Sequence, residues 1–117
     1  MAKRAALTSF EKGAVPVALK PITTTGGAGQ YATLTAARTL VTVVGTIPTA
    51  ATHLWIECEA QNVRYRLDGT DPTAAIGLRL IAGGQAAGVW LRRGQWNSAE
   101  FIEEAATAKL NWQFFKT

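Results

Sequence analysis

The sequence predicts an all-β domain: an antiparallel β-sandwich of the jelly-roll kind, with an extended N-terminal arm. Three observations predict it. Short segments alternate apolar and polar residues with period two, the signature of a half-buried strand. Gly, Pro, Asn and Asp clusters separate these segments at spacings of about 8–12 residues. The 117 residues are 48% hydrophobic and only 17% charged, a balance that excludes wholesale disorder. The length suits one domain, and no apolar run approaches the roughly 18–20 residues of a membrane span.

Residues 1–20 are expected to form the arm, and residues 21–117 the sandwich. Lys3, Arg4, Lys12 and Lys20 oppose only Glu11, so the arm carries +3 of the chain's +4. The apolar stretch after Lys3-Arg4 fails at Thr8 and Ser9, too soon for an export signal. Maturation in a reducing cytoplasm is the expectation, with Cys58 a free thiol. Direct nucleic-acid binding wants a denser basic patch with interleaved aromatics, and the arm offers only Phe10.

Gly26-Gly27-Ala28-Gly29 reads as a loop; no Gly-Lys-Ser/Thr follows to make it phosphate-binding. Residues 34–44, rich in Thr and Val, read as a strand region. Residues 53–60 alternate, with Leu54, Ile56, Cys58 and Ala60 against His53, Trp55, Glu57 and Glu59. Residues 63–67 do so again, with Arg64 and Arg66 outward. A two-residue turn, Gln61-Asn62, predicts a hairpin with the two glutamates across from the two arginines.

Asp68-Gly69-Thr70-Asp71-Pro72-Thr73 is the strongest turn signal. Asp-Gly favours positive φ, Asp71 can accept hydrogen bonds from the backbone beyond it, and Pro72 stops the strand. Residues 76–81 and 88–93 read as further strands, with Val89 and Leu91 opposite Trp90 and Arg92. The last third admits a helix over residues 99–109 capped at Asn97-Ser98. The preferred alternative is a hairpin of residues 96–102 and 108–116, because the rest of the chain is β and its end is aromatic.

No catalytic, metal or cofactor site is expected. His53 is the only histidine, and no Ser or Cys sits in a nucleophile elbow. Glu57/Glu59 and Glu103/Glu104 are paired carboxylates without the apolar context that would split their pKa values. Asp68 and Asp71 with Glu57 or Glu59 offer oxygen ligands, but not in an EF-hand spacing. Trp55, on the charged face of its strand, suggests a contact surface for protein or sugar.

The run Val63-Arg64-Tyr65-Arg66-Leu67-Asp68-Gly69-Thr70-Asp71-Pro72-Thr73, followed by Gly77, Leu80 and Ala82-Gly83, resembles a signature of small all-β structural proteins of tailed bacteriophages. The end of the chain, residues 110–115, fits their final strand more loosely. The same Tyr-x-x-Asp-Gly-x-x-Pro-Thr turn is similar to one in the C-terminal β-sandwich of chitobiase-like enzymes and some sugar-binding modules. The phage resemblance implies a non-enzymatic virion protein assembled in the host cytoplasm, of the capsid decoration or cement type. Its implied partners are the major capsid or other virion proteins and further copies of itself, as dimers or trimers. Lys3, Arg4, Lys12, Lys20, Trp55, Arg64 and Arg66 are the expected protein contacts. The alternative is a carbohydrate-binding or tail-fibre module, which requires coplanar exposed aromatics on one face. The motif specifies a turn, so it carries fold better than function.

Overall fold

Alternation makes one face of each strand apolar, and burying those faces against each other gives two layers. The computed structural model describes residues 18–117. In chain order the strands are β1 (Lys20–Pro21), β2 (Ala28–Tyr31), β3 (Arg38–Thr39), β4 (His53–Glu59), β5 (Val63–Arg66), β6 (Leu78–Leu80), β7 (Gly88–Arg92), β8 (Glu100–Glu103) and β9 (Lys109–Lys116). A short helix, α1 (Leu40–Val44), follows β3, and a 3-10 helix, Arg93–Ser98, follows β7.

All pairings are antiparallel. The larger sheet runs β1-β9-β4-β7, with β2 also on β9. The smaller runs β3-β8-β5-β6. The expected all-β sandwich is therefore the fold. Beyond β2 the chain changes sheet at every connection except β5 to β6. Short links join β4 to β5, β6 to β7 and β8 to β9, so these pairs lie over one another. The edge strands β6 and β7 thus share one side of the sandwich.

The core fills the space between the sheets. Leu54, Ile56 and Cys58 of β4 and Leu110 and Phe114 of β9 face Val63 and Tyr65 of β5, Leu80 of β6 and Phe101 of β8. Phe101 and Phe114 are fully buried, each contributing roughly 1.5–3 kcal/mol. Trp96 closes one end, its ring edge-on to Phe114 at 5.3 Å. Cys58 is on the core face, as its phase predicts, and burial pushes its thiol pKa up.

Four expectations of local structure are corrected. Residues 34–44 are not a strand: only Arg38–Thr39 pairs, and Leu40–Val44 is helical. Thr39 caps the helix by accepting the Thr42 N–H at 3.3 Å. Gly45, at φ 74°, ends it by donating to the Val41 carbonyl. Leu40, Val43 and Val44 turn inward at helical spacing, so core burial overrides the β preference of valine.

The segments 53–60 and 63–67 are not a hairpin. Ala60, at φ 75°, turns the chain from the larger sheet into the smaller. β4 pairs with β9 and β7, β5 with β8 and β6. Stacking one strand over the other buries both apolar faces, whereas side-by-side pairing would leave them open. The glutamate–arginine ladder consequently does not form: Glu57 lies beside Asn111 and Gly88, Glu59 beside Lys109.

The last third contains strands, not a helix over residues 99–109, but they are not a hairpin. β8 and β9 belong to opposite sheets, and Trp96 sits in the 3-10 helix. The loop read at residues 26–29 is a turn only at Gly26-Gly27; Ala28 and Gly29 already belong to β2. Gly29 is required there, because a Cβ would stand 2.6 Å from the Trp112 indole.

Candidate functional site

The Asp68–Thr73 loop lies between β5 and β6. Gly69 takes φ 81°, as the Asp-Gly turn requires. The Asp68 carboxylate accepts the Thr70 N–H at 3.1 Å and the Thr70 hydroxyl at 2.6 Å. Arg66 pairs with its other oxygen at 2.5 Å. These bonds hold the Asp68 carboxyl well below its usual range. Pro72 is fully buried. The backbone beyond it is held by the Thr73 hydroxyl, which accepts from Ala75 and Ile76, and not by Asp71 as expected. Asp71 lies against Glu100 instead, and their carboxyl–carboxyl hydrogen bond raises the Glu100 pKa.

The expected contact residues do not share a face. Lys3, Arg4 and Lys12 lie outside the described residues. Lys20 is exposed in β1, opposite Lys116. Trp55 lies on the outer face of the larger sheet; Arg64 and Arg66 lie on the outer face of the smaller, across the whole thickness of the sandwich. Both arginines are engaged within the chain. Glu104 stands 2.7 Å from Arg64 Nε and takes two hydrogen bonds from Arg79, at 2.7 and 3.0 Å. Arg79 lowers the Glu104 pKa most, with Asn62 and Arg64 adding to it.

The outer face of the larger sheet is laid out by the register. One row is Gln113–Trp55–Trp90, the next Phe115–His53–Arg92 and the next Asn111–Glu57–Gly88. Trp90 therefore sits between Trp55, 5.3 Å away, and Phe115, 5.1 Å away. The Trp55 indole covers Gly88, where a Cβ would collide with it, and donates to Glu57 at 2.7 Å. Glu59 accepts from Asn111 and Gln30 at the polar end. The result is a half-buried aromatic cluster grading into a polar network. Trp90 and Phe115 were legible as outward positions from parity alone; their meeting with Trp55 needed the strand order.

The ring planes are inclined by 56° and 61°, so these aromatics do not make the coplanar platform that stacking of sugar rings requires. The carboxylates diverge as well. Glu103 is buried and accepts the Ala108 N–H at 3.1 Å, while Glu104 faces the arginines. His53 bonds through Nδ1 to the Thr52 hydroxyl at 2.9 Å. Asp68 and Asp71 follow β5 in the smaller sheet, apart from Glu57 and Glu59 in the larger. Among the described residues no three His, Cys, Asp or Glu side chains are grouped to hold a metal ion. A shallow groove of about 280 Å³ runs between residues 21–25, residues 48–50 and Lys116; it presents threonine hydroxyls and one lysine, with no general base beside them. No described helix is long and apolar enough to cross a membrane. No protein-family model matches the chain, and comparison with curated proteins and with solved structures finds no match.

Proposed function

We propose that this chain is a non-enzymatic virion structural protein of a tailed bacteriophage, of the decoration or cement type, which bridges neighbouring capsid subunits. The observation that carries the reading is the resemblance over roughly residues 54–84, whose motif from Val63 to Gly83 here forms β5, the Asp68–Thr73 turn and β6 of a small sandwich. Two further observations support it. The outer face of the larger sheet presents Trp55, Trp90 and Phe115, residue types that anchor protein contacts. The basic residues Lys3, Arg4 and Lys12 offer attraction to an acidic capsid surface, and many copies gain strength by multivalency. Arg64 and Arg66, already paired within the chain, drop out of the contact set.

Mass spectrometry of purified virions tests the reading directly. The chain is expected in the particle in stoichiometric amounts. Its absence from virions, with the protein abundant in infected cells, would overturn it. Deleting residues 1–17 is expected to weaken capsid binding while leaving the sandwich folded.

A further inference from the structure

The larger sheet ends at β7, and the hydrogen-bond parity shows what that edge offers. The Arg93 N–H bonds to the Thr52 carbonyl at 3.1 Å and the Cys58 N–H to the Ala87 carbonyl at 2.8 Å. Positions 87 and 93 therefore bond towards β4, and so do Val89 and Leu91 between them. Gly88, Trp90 and Arg92 necessarily direct their N–H and C=O groups away from the sheet. The Arg92 N–H is taken by the Gln95 side chain at 2.8 Å. Among the described residues, the N–H and C=O groups of Gly88 and Trp90 have no backbone partner, while the Arg92 carbonyl, at the N-cap of the 3-10 helix, accepts that helix's first backbone bond and keeps one lone pair.

On the same side of the sandwich Ile76 and Leu78 are 57% exposed and Ile81 is 41% exposed. An open strand edge beside exposed apolar side chains is a surface that invites strand pairing.

We infer that β7 is a self-association edge: two copies of this chain pair β7 with β7 antiparallel about a two-fold axis at Trp90, joining the two larger sheets into one. A second copy fits for reasons of register. Because Trp90 directs both its backbone groups outward, the two Trp90 residues form the narrow hydrogen-bonded pair on the axis. Two residues away, the Gly88 N–H of each copy comes opposite Arg92 of the other, whose carbonyl offers the lone pair that the 3-10 helix does not use. That register makes the pairing self-complementary in charge. Arg92 of one copy comes opposite Gly88, which has no side chain of its own and is roofed by the Trp55 indole. The guanidinium thus passes over an aromatic face to Glu57, the next residue in that row. Among the described residues neither Arg92 nor Glu57 makes an ion pair within its own chain. The axis places a tryptophan at the interface centre, where such residues contribute most. It also brings Ile76, Leu78 and Ile81 of one copy towards their counterparts, covering both exposed edges. The inference rests on the sheet edge and holds whether or not the chain belongs to a virion.

Sedimentation equilibrium of the purified full chain, over a wide concentration range, tests it together with amide hydrogen exchange. A monomer–dimer equilibrium is expected. Arg92→Glu should weaken it about ten-fold or more, because it sets like charges together, and Glu57→Arg added to that variant should restore it. Circular dichroism checks that each variant is folded. In the unmodified chain the Gly88 and Trp90 amides should be protected only at concentrations where dimer forms, while Val89 and Leu91 stay protected throughout. A chain that is monomeric at every concentration overturns the inference. So does a dimer in which the Gly88 and Trp90 amides exchange freely, or protection of those amides in the monomer, which would mean that this chain covers its own edge.

Discussion

The Glu103 carboxylate accepts the backbone N–H of Ala108 at 3.1 Å, across the turn that carries the chain from the smaller sheet to the larger. Both residues are buried. The carboxylate thus supplies the acceptor that a ladder would otherwise provide at the crossover between β8 and β9. Glu103→Ala strips that acceptor and leaves a buried N–H unsatisfied, at a cost of about 1–3 kcal/mol. Glu103→Gln keeps an acceptor oxygen and should recover most of the loss. Chemical denaturation of the two variants measures the difference.

Glu104 points the other way, between Arg64 and Arg79, and its pKa lies below the ordinary 4.5. A carboxyl depressed in the folded state contributes stability that is present above its unfolded pKa and is lost as pH falls through the folded value. Thermal unfolding midpoints should therefore decline below about pH 4.5, and Glu104→Gln should flatten part of that decline. Glu100 carries the opposite sign. Its pKa is raised by the Asp71 carboxyl, so its protonated form is favoured by folding and its deprotonation at higher pH costs stability. Glu100→Gln should raise the midpoint at pH 7 and have little effect at pH 4.

Gly88 and Trp55 are diagonal neighbours in adjacent rows of the larger sheet, and the indole fills the space above the glycine. Gly88→Ala forces the ring away, with an overpacking cost of about 1–3 kcal/mol. Tryptophan fluorescence should shift with it, because Trp55 also loses its place beside Trp90 and Glu57. Combining Gly88→Ala with Trp55→Leu should return part of the lost stability in thermal melts.

Ala60 stands at φ 75°, where a side chain crowds the backbone. Ala60→Gly relieves that crowding and should raise stability by up to about 1 kcal/mol. Ala60→Val, branched at Cβ, should lower it by about 1–2 kcal/mol. Urea titrations of the pair check the sign.

Strand parity was readable from residues alone. Leu54, Ile56 and Cys58 face the core as their alternation predicts, and so do Val89 and Leu91 and the run Leu110, Trp112, Phe114. The Asp68-Gly69 turn was equally legible, because positive φ at glycine and an aspartate accepting from nearby N–H groups are local chemistry. What a period of two does not encode is the neighbour. Trp55 reads as an exposed, charged-face aromatic in one dimension and becomes half-covered once β7 lies beside β4 and places Trp90 next to it. Arg64 and Arg66 read as partners of Glu57 and Glu59, and the crossover at Ala60 sends them to the far side of the sandwich.

The sequence by itself determined an all-β chain, the inward and outward faces of its strands, and the Asp-Gly turn, since each depends on residues within a few positions of one another. Only the tertiary structure decided the strand order, the helix at Leu40–Val44, the pairing of Glu104 with Arg64 and Arg79, and the open edge at β7. Those depend on which apolar face covers which. Stacking two sheets buries both faces of every crossover pair, a gain that no single segment of the chain carries in its own pattern.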